Sequence, residues 1–92
     1  MTPLSGSMVP RLARGMRLTE DRTRGRLVIQ APERLFVPDE TAVHVLQLID
    51  GARTLDQVID ELAQRFAAPR GEIATDVQEM LADLMERRVV VA

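Results

Sequence analysis

No cysteine, tryptophan or tyrosine occurs in these 92 residues. Without cysteine there is no disulfide, no thiol nucleophile, no iron–sulfur cluster and no thiolate zinc site. Lysine is missing as well: all twelve basic residues are arginine, so no Schiff base can form and no P-loop lysine exists. His44 is the only histidine, which removes any histidine-rich metal site within one chain. Ser5 and Ser7, the only serines, sit in the N-terminal tail ahead of every expected element. Aromatic residues make up 2% of the chain, too few to stack a run of nucleobases. No catalytic residue, metal ligand or cofactor site is therefore expected. Also lacking is any apolar run of the ~20 residues a membrane span needs, and Met1–Pro10 has no basic segment followed by an apolar one. The expectation is a soluble, cytoplasmic chain with no membrane partner.

What is present describes one small domain. Hydrophobic residues are 46% and charged residues 28%, a globular balance in which Leu, Val, Ile and Met must fill the core. The net charge of −2 is unevenly placed. Residues 1–38 hold seven arginines against three acids, whereas residues 39–92 hold five against eleven. A basic first layer and an acidic helical layer are thus expected to attract each other.

Punctuation along the chain divides it cleanly. Residues 1–9 are small and polar and read as a flexible arm, leaving 10–92 as the domain. Strands are expected between about residues 11 and 38. Leu12, Met16 and Leu18 give a weak alternation, and Thr19–Gly25 reads as a polar connection. Leu27, Val28 and Ile29 make the best strand. Pro32 favours reversal over Ala31–Arg34, and Leu35–Val37 returns until Pro38 ends the ladder. Helices follow at about 39–50, 54–67 and 70–87. Asp39 caps the first and Gly51 suits a left-handed position past its end; Thr54 and Gln57 form a capping box for the second. Leu55, Val58, Ile59, Leu62, Ala63 and Phe66 are its apolar stripe, and Ile73, Val77, Met80, Leu81 and Leu84 form the stripe of the third. The fold class is α+β: a three-stranded antiparallel sheet and then three helices, winged-helix-like with its strands in front.

Function is read from what such an arrangement leaves exposed. On the third helix Glu72, Asp76, Glu79, Asp83 and Glu86 share one face, which would repel rather than enter a DNA groove. Its bland reading is a solvated face; a basic partner is the other. The first helix is apolar almost all round, with Val43 and Leu48 outside the sector of Ala42, Val45, Leu46 and Ile49, so it either sits centrally or awaits a partner. His44, one turn after Glu40, reads as half of an exposed ion pair. Leu35, Phe36 and Val37, confined between Pro32 and Pro38, form a short edge strand. Such an edge is either covered by its own protein or used for strand addition by an incoming peptide. Provided Phe36 lies on the exposed side of the strand, its change to Asp should weaken that binding without unfolding the domain. The same edge, with the loose arm, leaves a swapped or edge-paired homodimer open.

Leu27–Gln30, Pro32-Glu33-Arg34, Glu40-Thr41-Ala42, Val45-Leu46, Leu48 and Ile49-Asp50-Gly51, followed by Arg53-Thr54, resemble the PqqD family, as does Arg14-Gly15-Met16-Arg17-Leu18 upstream. That family serves pyrroloquinoline quinone biosynthesis. The resemblance implies a peptide chaperone, a RiPP recognition element without catalysis of its own. It would bind the precursor peptide and present it to a radical-SAM enzyme that cross-links a Glu to a Tyr. It also implies a peptide-binding site at Leu35, Phe36 and Val37, with Ile73, Val77, Met80 and Leu84 walling the groove. A recognition element for another peptide natural product is the alternative, and a DNA-binding winged-helix regulator ranks below it. Two positions depart from the family pattern: Pro38-Asp39 stands where an Asn is common at the helix start, and Arg87-Arg88-Val89 where an aromatic is expected.

Overall fold

The computed structural model describes residues 4–33 and 35–92. Its elements run β1 (Arg11–Leu12), β2 (Arg17–Asp21), β3 (Arg26–Gln30), β4 (Leu35–Phe36), α1 (Glu40–Leu48), α2 (Leu55–Phe66), α3 (Arg70–Glu86) and β5 (Val90–Val91). The α+β class is thus observed, with a three-stranded antiparallel sheet in the order β2-β3-β4. The alternation over Leu12–Leu18 does not form one strand. Gly15 takes a positive φ of 84° and splits it, so β1 and β2 belong to different sheets. β2 instead extends through Thr19, Glu20 and Asp21, residues first read as connection, and Arg22–Gly25 makes the turn. The reversal expected over Ala31–Arg34 involves Arg34, which lies outside the described residues.

β1 pairs with β5, matching Arg11 to Val91 and Leu12 to Val90. Val89 and Val90 are fully buried there, so the end of the chain closes over the core rather than trailing away. The first three positions of the expected arm lie outside the described residues. Residues 4–9 lie against the start of α2 and the core. The reason is the start of α2, whose first N–H groups need acceptors. Met8 O accepts from Leu55 N–H at 2.8 Å and Gly6 O from Asp56 N–H at 3.0 Å. Thr54 Oγ1 accepts from Gln57 N–H while Gln57 Oε1 accepts from Thr54 N–H, completing the capping box. Leu4 and Met8 meanwhile pack against the core.

α1 sits centrally. Ala42, Val45, Leu46, Leu48 and Ile49 are all buried, which decides between the two readings of its apolar surface. Its start is fixed by Asp39, whose Oδ1 accepts from Ala42 N–H at 2.8 Å. It ends earlier than expected, at Leu48, and the chain turns on Asp50: its Oδ1 accepts from Ala52 and Arg53 N–H, with Gly51 at φ 78° between. α2 buries Leu55, Val58, Ile59 and Leu62, and α3 adds Val77 and Leu81. Each such side chain contributes ~1.5–3 kcal/mol of apolar transfer. Among the described residues no ion pair joins residues 4–38 to 39–92; every pair lies within one part. The described residues of the two layers are joined by apolar packing.

Candidate functional site

β4 is the end strand of its sheet, and its brevity follows from Pro38, which has no N–H to donate and ends the ladder. Pairing of Ile29 with Phe36 and Gln30 with Leu35 sets which way each residue faces. Phe36 is half-buried and packs against the core. Leu35 and Val37 are 56% and 50% exposed, although both are large and apolar. The substitution informative for binding is therefore at Leu35 or Val37. A charge at Phe36 would be driven into the core edge, so a loss of binding there would not separate folding from function.

Beside β4 runs a groove of about 370 Å³, bounded on the far side by the second half of α3. Leu35, Phe36 and Val37 form one wall and Met80 and Leu84 the other, with Ile29 and Ala42 between them. Its polar rim is Asp39, Asp83 and Arg87. Asp39 is engaged as the α1 cap, and Arg87 Nε donates to Asp83 Oδ1 at 3.3 Å. Such a lining offers apolar burial with a few charges at its edge, the composition of a binding cleft.

Five of the seven residues singled out from sequence meet in this groove; Ile73 and Val77 do not. They line a second cavity of about 230 Å³ enclosed by α1, α2 and α3, with Val45, Leu62 and Phe66. Met80 lines both cavities and divides them. The spacing on α3 explains the split: Ile73 and Leu84 lie eleven positions apart, about 16 Å along a helix, further than one short strand reaches. Val77 is also buried, so it serves the core as well. Sequence reasoning missed Pro38, Asp39 and Ala42, which reach the groove through the bend between β4 and α1, and Arg87, which reaches it from the end of α3.

His44 does not pair with Glu40. Its ring meets Phe66 edge-on, with centroids 5.0 Å apart and planes at 88°. Among the described residues no group of three or more His, Asp or Glu side chains converges in a way that would hold a metal ion. None of their helices is long and apolar enough to cross a membrane.

An edge strand beside an apolar cleft, on a small α+β scaffold, is the architecture of modules that receive an extended chain by strand addition. A family profile described as coenzyme PQQ synthesis protein D (PqqD) matches residues 26–90, and the chain belongs to the PqqD family. A PqqA binding protein of Rhizobium meliloti is 46% identical over 87 residues, covering 95% of this chain and 89% of that protein. The solution structure of the PqqD truncation of Methylobacterium extorquens PqqCD, described as a functional, stand-alone RiPP recognition element, superposes with a TM-score of 0.79. It is 45% identical, with 96% of this chain and 94% of that one covered. The crystal structure of PqqD from Xanthomonas campestris is similar with a TM-score of 0.61 and 38% identity, over 97% and 99% of the two chains.

Proposed function

We propose that this chain is a peptide chaperone of pyrroloquinoline quinone biosynthesis, which binds the precursor peptide PqqA along β4 and presents it to a radical-SAM enzyme. The observation that carries this reading is the edge strand with Leu35 and Val37 exposed beside the groove walled by Met80 and Leu84. Relatives named PqqA binding protein, and a solved relative described as a recognition element, support it. β4 is two residues long, so an added strand makes few backbone hydrogen bonds, each worth only about 0.5–1.5 kcal/mol net. Most of the affinity must then come from side chains buried in the groove, and those side chains choose the sequence. The chain supplies binding and orientation, and the chemistry belongs to the enzyme it serves, which makes this protein no enzyme by itself.

The acidic face of α3 argues against the DNA-binding alternative. Glu72, Asp76, Glu79, Asp83 and Glu86 are all exposed, so a duplex would meet carboxylates there. The reading is tested by titrating isotopically labelled protein with synthetic PqqA and following backbone amide signals. Saturable shifts at Leu35–Val37, Met80 and Leu84, lost in Leu35→Asp and Val37→Asp but little changed by moderate salt, are the expected result. No saturable shift at high peptide concentration would remove PqqA as the ligand.

A further inference from the structure

Among the described residues the exposed large apolar side chains are Leu35, Val37 and Phe66. Scattered singly, such residues would need no explanation. These are not scattered: Leu35 and Val37 line the strand groove, Phe66 lines the helix-walled cavity, and Met80 lines both. Among the described residues the exposed large apolar side chains thus lie along one track that crosses Met80.

We infer that the peptide site extends past the strand groove, and that the cavity between α1, α2 and α3 is a socket for one large apolar side chain, preferably aromatic, of the same peptide. This rests on the strand-addition reading, and it assigns specificity to residues outside β4. Size supports the occupant. The cavity is about 230 Å³, and a cavity of ~150 Å³ already accommodates benzene. Chemistry supports it too. Phe66 meets His44 in a T-shaped contact and stays exposed, so part of its ring is open for a second ring to meet. Met80 offers a polarisable thioether that adapts to a ring on either side. Ile73, Val77, Val45 and Leu62 supply the apolar walls.

Length fixes where in the peptide this residue lies. Ile73 and Met80 are seven positions apart, about 10 Å along the helix, which an extended chain covers in about three residues. Thr41 and Val45 of α1, the helix that follows Val37 and Pro38, also line the socket. The anchoring side chain thus sits about three residues past the segment that pairs with β4. Asp76 is the one charged residue lining the cavity, and no ion pair among the described residues engages it. An acidic residue next to the anchor is disfavoured there, and a basic one is favoured.

The test uses the full chain, methyl- and ring-labelled, titrated with synthetic PqqA and with PqqA carrying each large apolar residue replaced in turn by Ala. Wild-type protein is expected to shift at the Ile73, Val77 and Met80 methyls and the Phe66 ring together with the Leu35–Val37 amides. Phe66→Ala, at an exposed position that tolerates truncation, should weaken binding on the order of ten-fold while the Leu35–Val37 shifts at saturation remain. One peptide truncation, and only one, should be non-additive with Phe66→Ala. Shifts confined to Leu35–Val37, with unchanged affinity in Phe66→Ala, would overturn the socket and leave strand addition standing. Shifts of Phe66 and Ile73 that depend on protein concentration without peptide would also overturn it, by assigning the cavity to a second copy. Absence of any peptide-induced shift would sink the strand-addition reading and the socket with it.

Discussion

Asp50 illustrates how a single side chain sets a turn. Its carboxylate accepts from Arg53 and Ala52 N–H groups, and these bonds, with the Arg53 guanidinium nearby, hold its pKa below the ordinary carboxylate value. Because the folded value is depressed, its contribution is present above the unfolded value and is lost as pH falls through the folded one. Asp50→Asn should therefore melt below wild type at pH 7, and the gap should close as pH falls below ~4. Thermal melts across that range check it; a gap independent of pH would mean that the charge plays no part. Ala67 gives the opposite case, a residue that works against its own position. It ends α2 at φ 47° and ψ 43°, in the left-handed region, with its N–H donating to Gln64 O. A Cβ there costs roughly 1–2 kcal/mol, partly offset by the flexibility glycine brings to the unfolded chain. Ala67→Gly should stabilise the domain by about 0.5 kcal/mol, read as a higher urea midpoint at unchanged slope.

At the scale of elements, the N-terminal segment acts as part of α2. Removing residues 1–7 deletes the carbonyl of Gly6 that receives Asp56 N–H, and the packing of Leu4. The expected cost is about 1–2 kcal/mol, measurable as a fall in melting temperature with helix content retained. Nothing in the sequence announced this contact, because the acceptors are backbone carbonyls, of Gly6 and Met8, which any residue carries and which leave no periodic signal. The same limit hid β1 and β5. Two-residue strands leave no alternation to read, and their pairing depends on residues at opposite ends of the chain. By contrast, α2 was legible from Thr54, Gln57 and the stripe Leu55–Leu62, since capping and periodicity are local properties. Phe66 lay on that same stripe but emerges 48% exposed, because the helix stops there and the chain turns away before anything covers it. For the site, the wall at Leu35–Val37 was legible because Pro32 and Pro38 bracket it. The division of the α3 stripe into two cavities was not, since a periodic stripe gives direction around a helix but not what stands opposite each turn.

Among the described residues charge is separated without ion pairs across the divide, and an apolar cluster spans both parts. Folding must then await burial rather than charge pairing. The seam between β1 and β5 brings together the most distant residues of the ladder, Arg11 with Val91 and Leu12 with Val90. Contacts that close the longest loops carry the largest entropic cost and tend to form late. Val90→Ala, which removes buried apolar volume, should cost about 2 kcal/mol. That cost should appear almost wholly as faster unfolding, with a φ-value below about 0.3 in stopped-flow kinetics; a value near 1 would place the seam in the nucleus instead. None of the residues that line the groove beside β4 belongs to β1 or β5, so the groove can be whole while the seam is open. The seam is thus the latch of the domain: last to engage as the chain folds, and first to slip when it is heated.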